Sequence, residues 1–267
     1  MNHLLRPLAP ISDAGWAMLD DEARERLLPA LAARKLIDFS GPHGWEYSAT
    51  NLGRTSALGE APCRGVSGAA RRVLPLVELR ASFTVALDEL RAADRGAEDA
   101  DLEELDRAAH QIAVAENKTV FHGWGEASIE GIAELSPHER IPLGDNANDY
   151  PRPVARAVER LLHHGIEGPY ALVLGGDQYQ RVAQTAEHGG YPLRDHLYKI
   201  LDGPVVWAPG VAGAVVLSTR GGDFLLECGQ DLSIGYESHD GEAVRLYLEE
   251  SISFRVATPE AAVALEG

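Results

Sequence analysis

The residues able to do chemistry are scattered along the chain. Ten histidines suggest metal binding, and the neighbours His163 and His164 suggest it most directly. Adjacent helical residues diverge by about 100 degrees, so the two rings cannot chelate one ion together. They lie just before Gly165, where a helix C-terminus favours cations. Ser, His and Asp are plentiful, yet no G-x-S-x-G elbow is present, and Gly125-Glu126-Ala127-Ser128 is not one. Gly175-Gly176-Asp177 and Gly221-Gly222-Asp223 lack the lysine and spacing of a phosphate loop and read as turns. Cys63 and Cys228 stand far apart without metal-type or nucleophile spacing, so free thiols are expected. Nothing in this inventory specifies a catalyst, a metal centre or a bound cofactor.

Composition narrows the classes further. A 267-residue chain with 45% hydrophobic residues supports a buried core. A formal charge of −17 with only three lysines, Lys35, Lys118 and Lys199, argues against nucleic-acid binding, which draws on clustered cations. No run of eighteen apolar residues is long enough to span a bilayer, and the start, MNHLLRPLAP, lacks the apolar stretch of a signal peptide. The expectation is a cytoplasmic protein without membrane partners.

The elements follow from periodicity. Ser12 caps a predicted helix whose stripe is Trp16, Leu19, Ala23, Leu27 and Leu31, with Pro29 ending or kinking its last turn. Lys35 to Phe39 alternates like a strand, and Gly41 to Ala70 reads as a long exposed loop or hairpin. A β-rich stretch, Val73 to Leu87, precedes a helix from Asp99 to Lys118 with Leu102, Leu105, Ala109, Ile112 and Ala115 on one face. A helix over Val154 to His164 stops at Gly165, and Tyr170 to Leu174 reads as a buried strand. Helical text at Gln178 to Glu187 breaks at a projecting Gly-rich loop and resumes to Leu201. Val205 to Trp207, Ala214 to Leu217, Phe224 to Glu227 and Ala243 to Val256 complete the expected strands of an α+β class.

Several strings, taken in order, carry a family likeness: Gly41-Pro42-His43-Gly44-Trp45-Glu46-Tyr47, Ile129-Glu130-Gly131-Ile132, Gly165-Ile166-Glu167-Gly168-Pro169-Tyr170, Arg220-Gly221-Gly222-Asp223-Phe224 and Gly229-Gln230-Asp231-Leu232-Ser233-Ile234-Gly235-Tyr236. With Leu8-Ala9-Pro10 and Arg34-Lys35, they resemble the encapsulin shell family along nearly the whole chain. The resemblance implies the HK97-like tailed-phage major capsid fold. Its parts would be an N-terminal helix and first strand over 1–46, an extended loop over 47–80, a peripheral domain with a spine helix over 81–144, an axial domain over 145–220, and peripheral strands over 221–267. It further implies a non-enzymatic homo-oligomer of about 60 copies in closed symmetry, enclosing a dye-decolourising peroxidase or a ferritin-like protein held by its C-terminal peptide.

The resemblance also assigns residues. Leu27, Leu31, Arg34, Leu36 and Asp38 would face Asp231, Leu232, Ile234 and Tyr236 across a peptide groove, with the aspartates taking basic groups of the cargo. Trp45, Tyr47 and Leu52 would anchor the loop on a neighbouring subunit. Glu187, His188, Gly189, Gly190 and Tyr191 would ring the fivefold opening, where repeated charge and imidazole respond to cations and pH. The loop has no lysine, so the covalent weld of some phage relatives is not expected. Certain members hold a flavin against a tryptophan shortly after the stretch matching Phe83-Thr84. Asp88 stands there in this chain, so no cofactor is expected. The weighed alternatives are a prophage major capsid protein, which would favour a basic or neutral inner wall, and a hydrolase or bacteriocin, for which no nucleophile motif exists.

Overall fold

Ser12 begins the first helix as its position predicts, its Oγ accepting the Gly15 N–H at 2.9 Å. The computed structural model describes residues 3–186 and 190–266. Helix α1 (Asp13–Ala30) buries Trp16, Leu19, Ala23 and Leu27, and stops one residue after Pro29. Beyond it the predicted strand is shorter than its alternation suggests. A 3₁₀ turn occupies Ala33–Lys35, and β1 covers only Asp38–Ser40.

Within the turn the N–H groups of Lys35, Leu36 and Ile37 donate to the Ala32 and Ala33 carbonyls, and the segment before it is pinned from α3. Asn117, fully buried, accepts the N–H groups of Ala32 and Ala33 at 3.1 and 3.3 Å and donates to Ala30 and Pro209 carbonyls at 2.8 and 3.2 Å. One amide thus satisfies backbone groups that the end of α1 leaves without partners.

The loose stretch that follows becomes a ribbon, β2 (Ala49–Ala57) paired antiparallel with β3 (Ala69–Pro75). Its register shifts between Asn51 and Arg54, at a bulge where Asn51 Oδ1 accepts the Gly53 N–H at 2.9 Å. Most of its residues are exposed on both faces. Strand β4 (Val77–Ala86) then enters the first sheet, followed by α2 (Leu87–Asp94) and the long α3 (Glu103–His122). The predicted face of α3 is inside: Leu102, Leu105, Ala109 and Ile112 are buried, and the helix packs on both α1 and β4.

After the single turn α4 (Ile132–Leu135) and the short β5 (Ile141–Pro142), a second α+β layer builds up. It holds α5 (Pro151–His163), β6 (Tyr170–Leu174), α6 (Gly176–Gln184), α7 (Leu193–Leu201), β7 (Val205–Trp207) and β8 (Ala214–Ser218). Both β6 and β8 are buried at every position, which is why they read as continuous apolar runs. The chain returns through β9 (Phe224–Cys228), β10 (Ser233–His239) and β11 (Ala243–Val256), and ends in β12 (Ala262–Glu266).

The first sheet runs β1-β9-β11-β10, with β4 also on β11. The second runs β5-β12-β8-β6-β7. Strand β12 therefore leaves the first sheet and pairs with the earlier strand β8, Val263 opposite Val216. Its four buried residues fill the gap beside β8, and β5, read as part of the spine unit, closes the same edge.

Replacing Asn117 with Leu strands two buried N–H groups. The expected cost is roughly 3 kcal/mol, read as a fall of about 6–12 °C in thermal midpoint. A midpoint within about 1 °C of the parent would remove Asn117 from this role.

Candidate functional site

Helix α1 and strand β10 pack side by side without meeting at their ends, and the space between them is a groove of about 410 Å³. Its floor is apolar and buried: Ala23, Leu27, Leu31, Ile234 and Leu248. Its rim keeps apolar surface in water, since Leu28 is 61% exposed and Leu232 half-buried. An exposed leucine beside a buried leucine floor is the feature that distinguishes this groove from ordinary core.

The N-terminal segment closes one end. The Tyr236 N–H donates to the Leu4 carbonyl at 2.8 Å, and Arg6 Nε donates to the Ile234 carbonyl at 2.8 Å. The Arg6 guanidinium lies 4.3 Å over the Trp16 ring and makes a two-pronged pair with Asp20, Nη1 to Oδ2 at 2.9 Å and Nη2 to Oδ1.

At the other end sits Arg34. Its Nε reaches Glu116 Oε2 at 2.7 Å, its Nη1 reaches Asp231 Oδ1 at 2.7 Å, and its Nη2 reaches Glu250 Oε2 at 2.6 Å. Glu116 and Glu250 are completely buried, while the Asp231 side chain is 41% exposed at the groove wall. Burial alone would lower the Arg34 guanidinium, but Glu116, Glu250 and Asp231 together hold it well above its ordinary value. One cation cannot neutralise three carboxylates. Burial pushes the Glu116 carboxyl up despite Arg34, and burial with the adjacent Glu116 charge pushes Glu250 up further. Glu116 Oε1 and Glu250 Oε1 are both sealed from water with no donor to either. Burial and mutual repulsion thus push both carboxyls up as a coupled pair.

The structure thus brings Leu27, Leu31, Arg34, Asp231, Leu232 and Ile234 to one groove. Three other predicted groove residues lie outside its lining. Leu36 is buried in the core. Asp38 accepts the Gly222 N–H at the turn before β9, because β1 pairs parallel with β9 and carries it there. Tyr236 is half-buried, its hydroxyl 2.6 Å from His239 Nδ1. Sequence reasoning missed Arg6, Asp20, Leu28, Glu116 and Glu250. Only the last two had a readable signal, an acid standing in the apolar phase of its own element.

Of the loop anchors, Trp45 is 41% exposed and stacks on His3 at 3.9 Å, Tyr47 lies 4.6 Å from the His43 ring, and Leu52 is half-buried at the foot of the hairpin. Glu187, His188 and Gly189 lie outside the described residues. Gly190 has φ of +80°, and the Tyr191 ring faces Lys199 Nζ at 5.0 Å. His164 meets His138 edge-on at 4.6 Å, and each ring bonds a backbone carbonyl, those of Arg160 and Glu260. Among the described residues no three His, Cys, Asp or Glu side chains gather around a common metal position. Cys63 is exposed, whereas burial pushes the Cys228 thiol up to about 12, so that thiol is no nucleophile at neutral pH. No helix among the described residues is long and apolar enough to cross a membrane.

Comparison with known proteins agrees on one family. Residues 1–253 match a family profile described as encapsulating protein for peroxidase. A type 1 encapsulin shell protein of Rhodospirillum rubrum is 48% identical over 272 aligned residues, covering 100% of this chain and 97% of the relative. Another from Mycobacterium tuberculosis is 42% identical over 265 residues and covers 99% of both. Among solved structures, the virus-like particle from Pyrococcus furiosus matches with a TM-score of 0.64 at 18% identity, over 94% of this chain and 99% of that one. Mycobacterium phage Ogopogo matches at 0.55 and 14% identity, over 88% and 92%. The fold is the HK97-like tailed-phage capsid fold.

The raised pair sets a pH dependence. Above the unfolded glutamate value of about 4.5 the unfolded chain releases protons that the native Glu116 and Glu250 retain, so stability falls as pH rises toward their raised native values. Glu250→Gln keeps an acceptor for Arg34 and supplies a permanent N–H toward Glu116. Thermal melts from pH 5 to pH 8 should show a flatter profile for this variant than for the parent; parallel profiles would place the source elsewhere.

Proposed function

From the premise that this chain belongs to the encapsulin shell family, whose subunits build capsid-like cages, we propose that about 60 copies close into an icosahedral compartment around a cargo enzyme bound through its C-terminal peptide. The observation that carries the cargo reading is the groove, with exposed Leu28 and half-buried Leu232 above a buried leucine floor. Apolar side chains of the peptide seat against Leu27, Leu28, Leu31, Leu232 and Ile234. Asp231 offers a basic group of the peptide its exposed edge, because the one guanidinium beside it is shared with two other acids. Each contact is weak alone. An oligomeric cargo facing many grooves gains avidity of about 10²–10⁴, so modest single-site affinity fills the cage.

The cargo fitting this reading is a dye-decolourising peroxidase or a ferritin-like protein, which would give the compartment a part in oxidative defence or iron storage in the cytoplasm. The family description, encapsulating protein for peroxidase, supports the first. We propose further that the ribbon β2–β3 lies on a neighbouring subunit and that the segment 187–191, of which Glu187, His188 and Gly189 lie outside the described residues, belongs to the fivefold opening. A ring of Glu187 and His188 there favours cations. Iron uptake by assembled particles should slow severalfold when both are changed to Ala, and an unchanged rate removes the gate.

The groove is tested by Leu28→Asp with Leu232→Asp in particles co-expressed with a peroxidase that ends in the targeting peptide. Neither side chain is part of the core, so particles should still form, with cargo per particle reduced more than tenfold. Normal loading in intact particles would sink the groove and leave the shell standing.

A further inference from the structure

The ribbon β2–β3 is charged against the rest of its own chain. Between Ala49 and Pro75 it holds Arg54, Arg64, Arg71 and Arg72 against Glu60 alone, within a chain of formal charge −17. Arg54 and Arg72 stand directly opposite each other in the ladder. Like charges in that position repel across about 5 Å and destabilise a hairpin, and a two-stranded ribbon has little stability to spare. Neither arginine has an ion pair within the subunit among the described residues.

Both line a pocket of about 410 Å³ at the foot of the ribbon, where Leu52 and Leu74 meet Phe254 of β11. A third arginine, Arg255, lines it too, and its Nε is sealed from water without an acceptor. The acid in the lining, Glu130, is exposed and makes no ion pair with any of the three. Three arginines, two of them paired across the ladder and one with a buried unused donor, line a space partly walled by hydrocarbon. A bound carboxylate would relieve the cross-strand repulsion and accept from Arg255 through charge-assisted bonds, for which the planar guanidinium fork is suited.

We propose that this pocket receives a carboxylate side chain from a second copy of the chain, so that the ribbon docks on its neighbour through an ion pair as well as through apolar contact. The proposal rests on the shell reading and deepens it. The occupant is a second copy because the remainder of every subunit is strongly acidic while the ribbon is basic, and because Leu58, Val66 and Val73 leave apolar surface along the same ribbon that only a protein surface covers. A free anion would neutralise the arginines and leave those side chains in water.

Carbodiimide cross-linking of Arg72→Lys particles tests this directly. The reagent joins an amine to a carboxylate only at ion-pair distance, and the chain's own lysines, Lys35, Lys118 and Lys199, lie outside the ribbon. The expected result is a covalent dimer absent from the unsubstituted protein, with a junction peptide joining position 72 to an Asp or Glu of another copy. Arg54→Glu with Arg72→Glu should leave the subunit folded by circular dichroism and raise the concentration needed for assembly at least tenfold. Intact particles with no dimer, or with a link only to Glu130 of the same chain, overturn the proposal. So does assembly of the double variant at the parent's concentration, or occupancy of the pocket by millimolar phosphate without any dimer. If the unsubstituted protein forms no particles on gel filtration, the shell reading fails first, which keeps the two failures apart.

Discussion

One guanidinium connects the core to the groove. Arg34, just past the end of α1, holds Glu116 of α3, Glu250 of β11 and Asp231 before β10, so four parts of the chain meet at a single planar group. Removing one member of a buried charge set costs about 3–5 kcal/mol, because the remaining charges stay buried without partners. That cost fixes where the end of α1 lies relative to the first sheet, and therefore the width of the groove. Asn117, one residue after Glu116, does the same work for the backbone of residues 30–33. Together they make the groove wall a rigid part of the core while its rim stays open.

The charge balance of the subunit bears on assembly in the same way. Copies of formal charge −17 repel one another, and repulsion falls only where oppositely charged surfaces meet at short range. The ribbon is a long, mostly exposed segment of the opposite sign. An acidic body carrying a basic arm favours arm-to-body contact over other encounters, which is how a single sequence can specify a closed arrangement rather than random association.

Much of the architecture was legible. The stripe of α1 and the face of α3 were read from period, because each buries one consistent face, and Tyr170–Leu174 and Ala243–Val256 were read from residue type, because both are buried along most of their length. Ser233–His239 and Ala262–Glu266 escaped, the first because Gly235 and polar residues break its alternation, the second because five residues of mixed Ala, Val and Leu carry no period. Lys35 to Phe39 misled for a different reason: its alternation is real, but the N–H groups of Lys35, Leu36 and Ile37 are taken by the Ala32 and Ala33 carbonyls in a 3₁₀ turn. Of the residues that the resemblance assigned, Leu27, Leu31, Ile234 and Asp231 line the groove, whereas pairing of β1 with β9, far along the chain, carries Asp38 to the turn before β9.

By itself the sequence determined the fold family, the apolar faces and the absence of any recognisable catalytic motif, because these follow from local period, residue type and strings that persist in order. Only the tertiary structure decided that Glu116 and Glu250 meet under one arginine, that Leu28 stands in water above the groove, and that Arg54, Arg72 and Arg255 line one pocket. Each of those facts is a distance between residues remote in the chain, and no local pattern encodes such a distance.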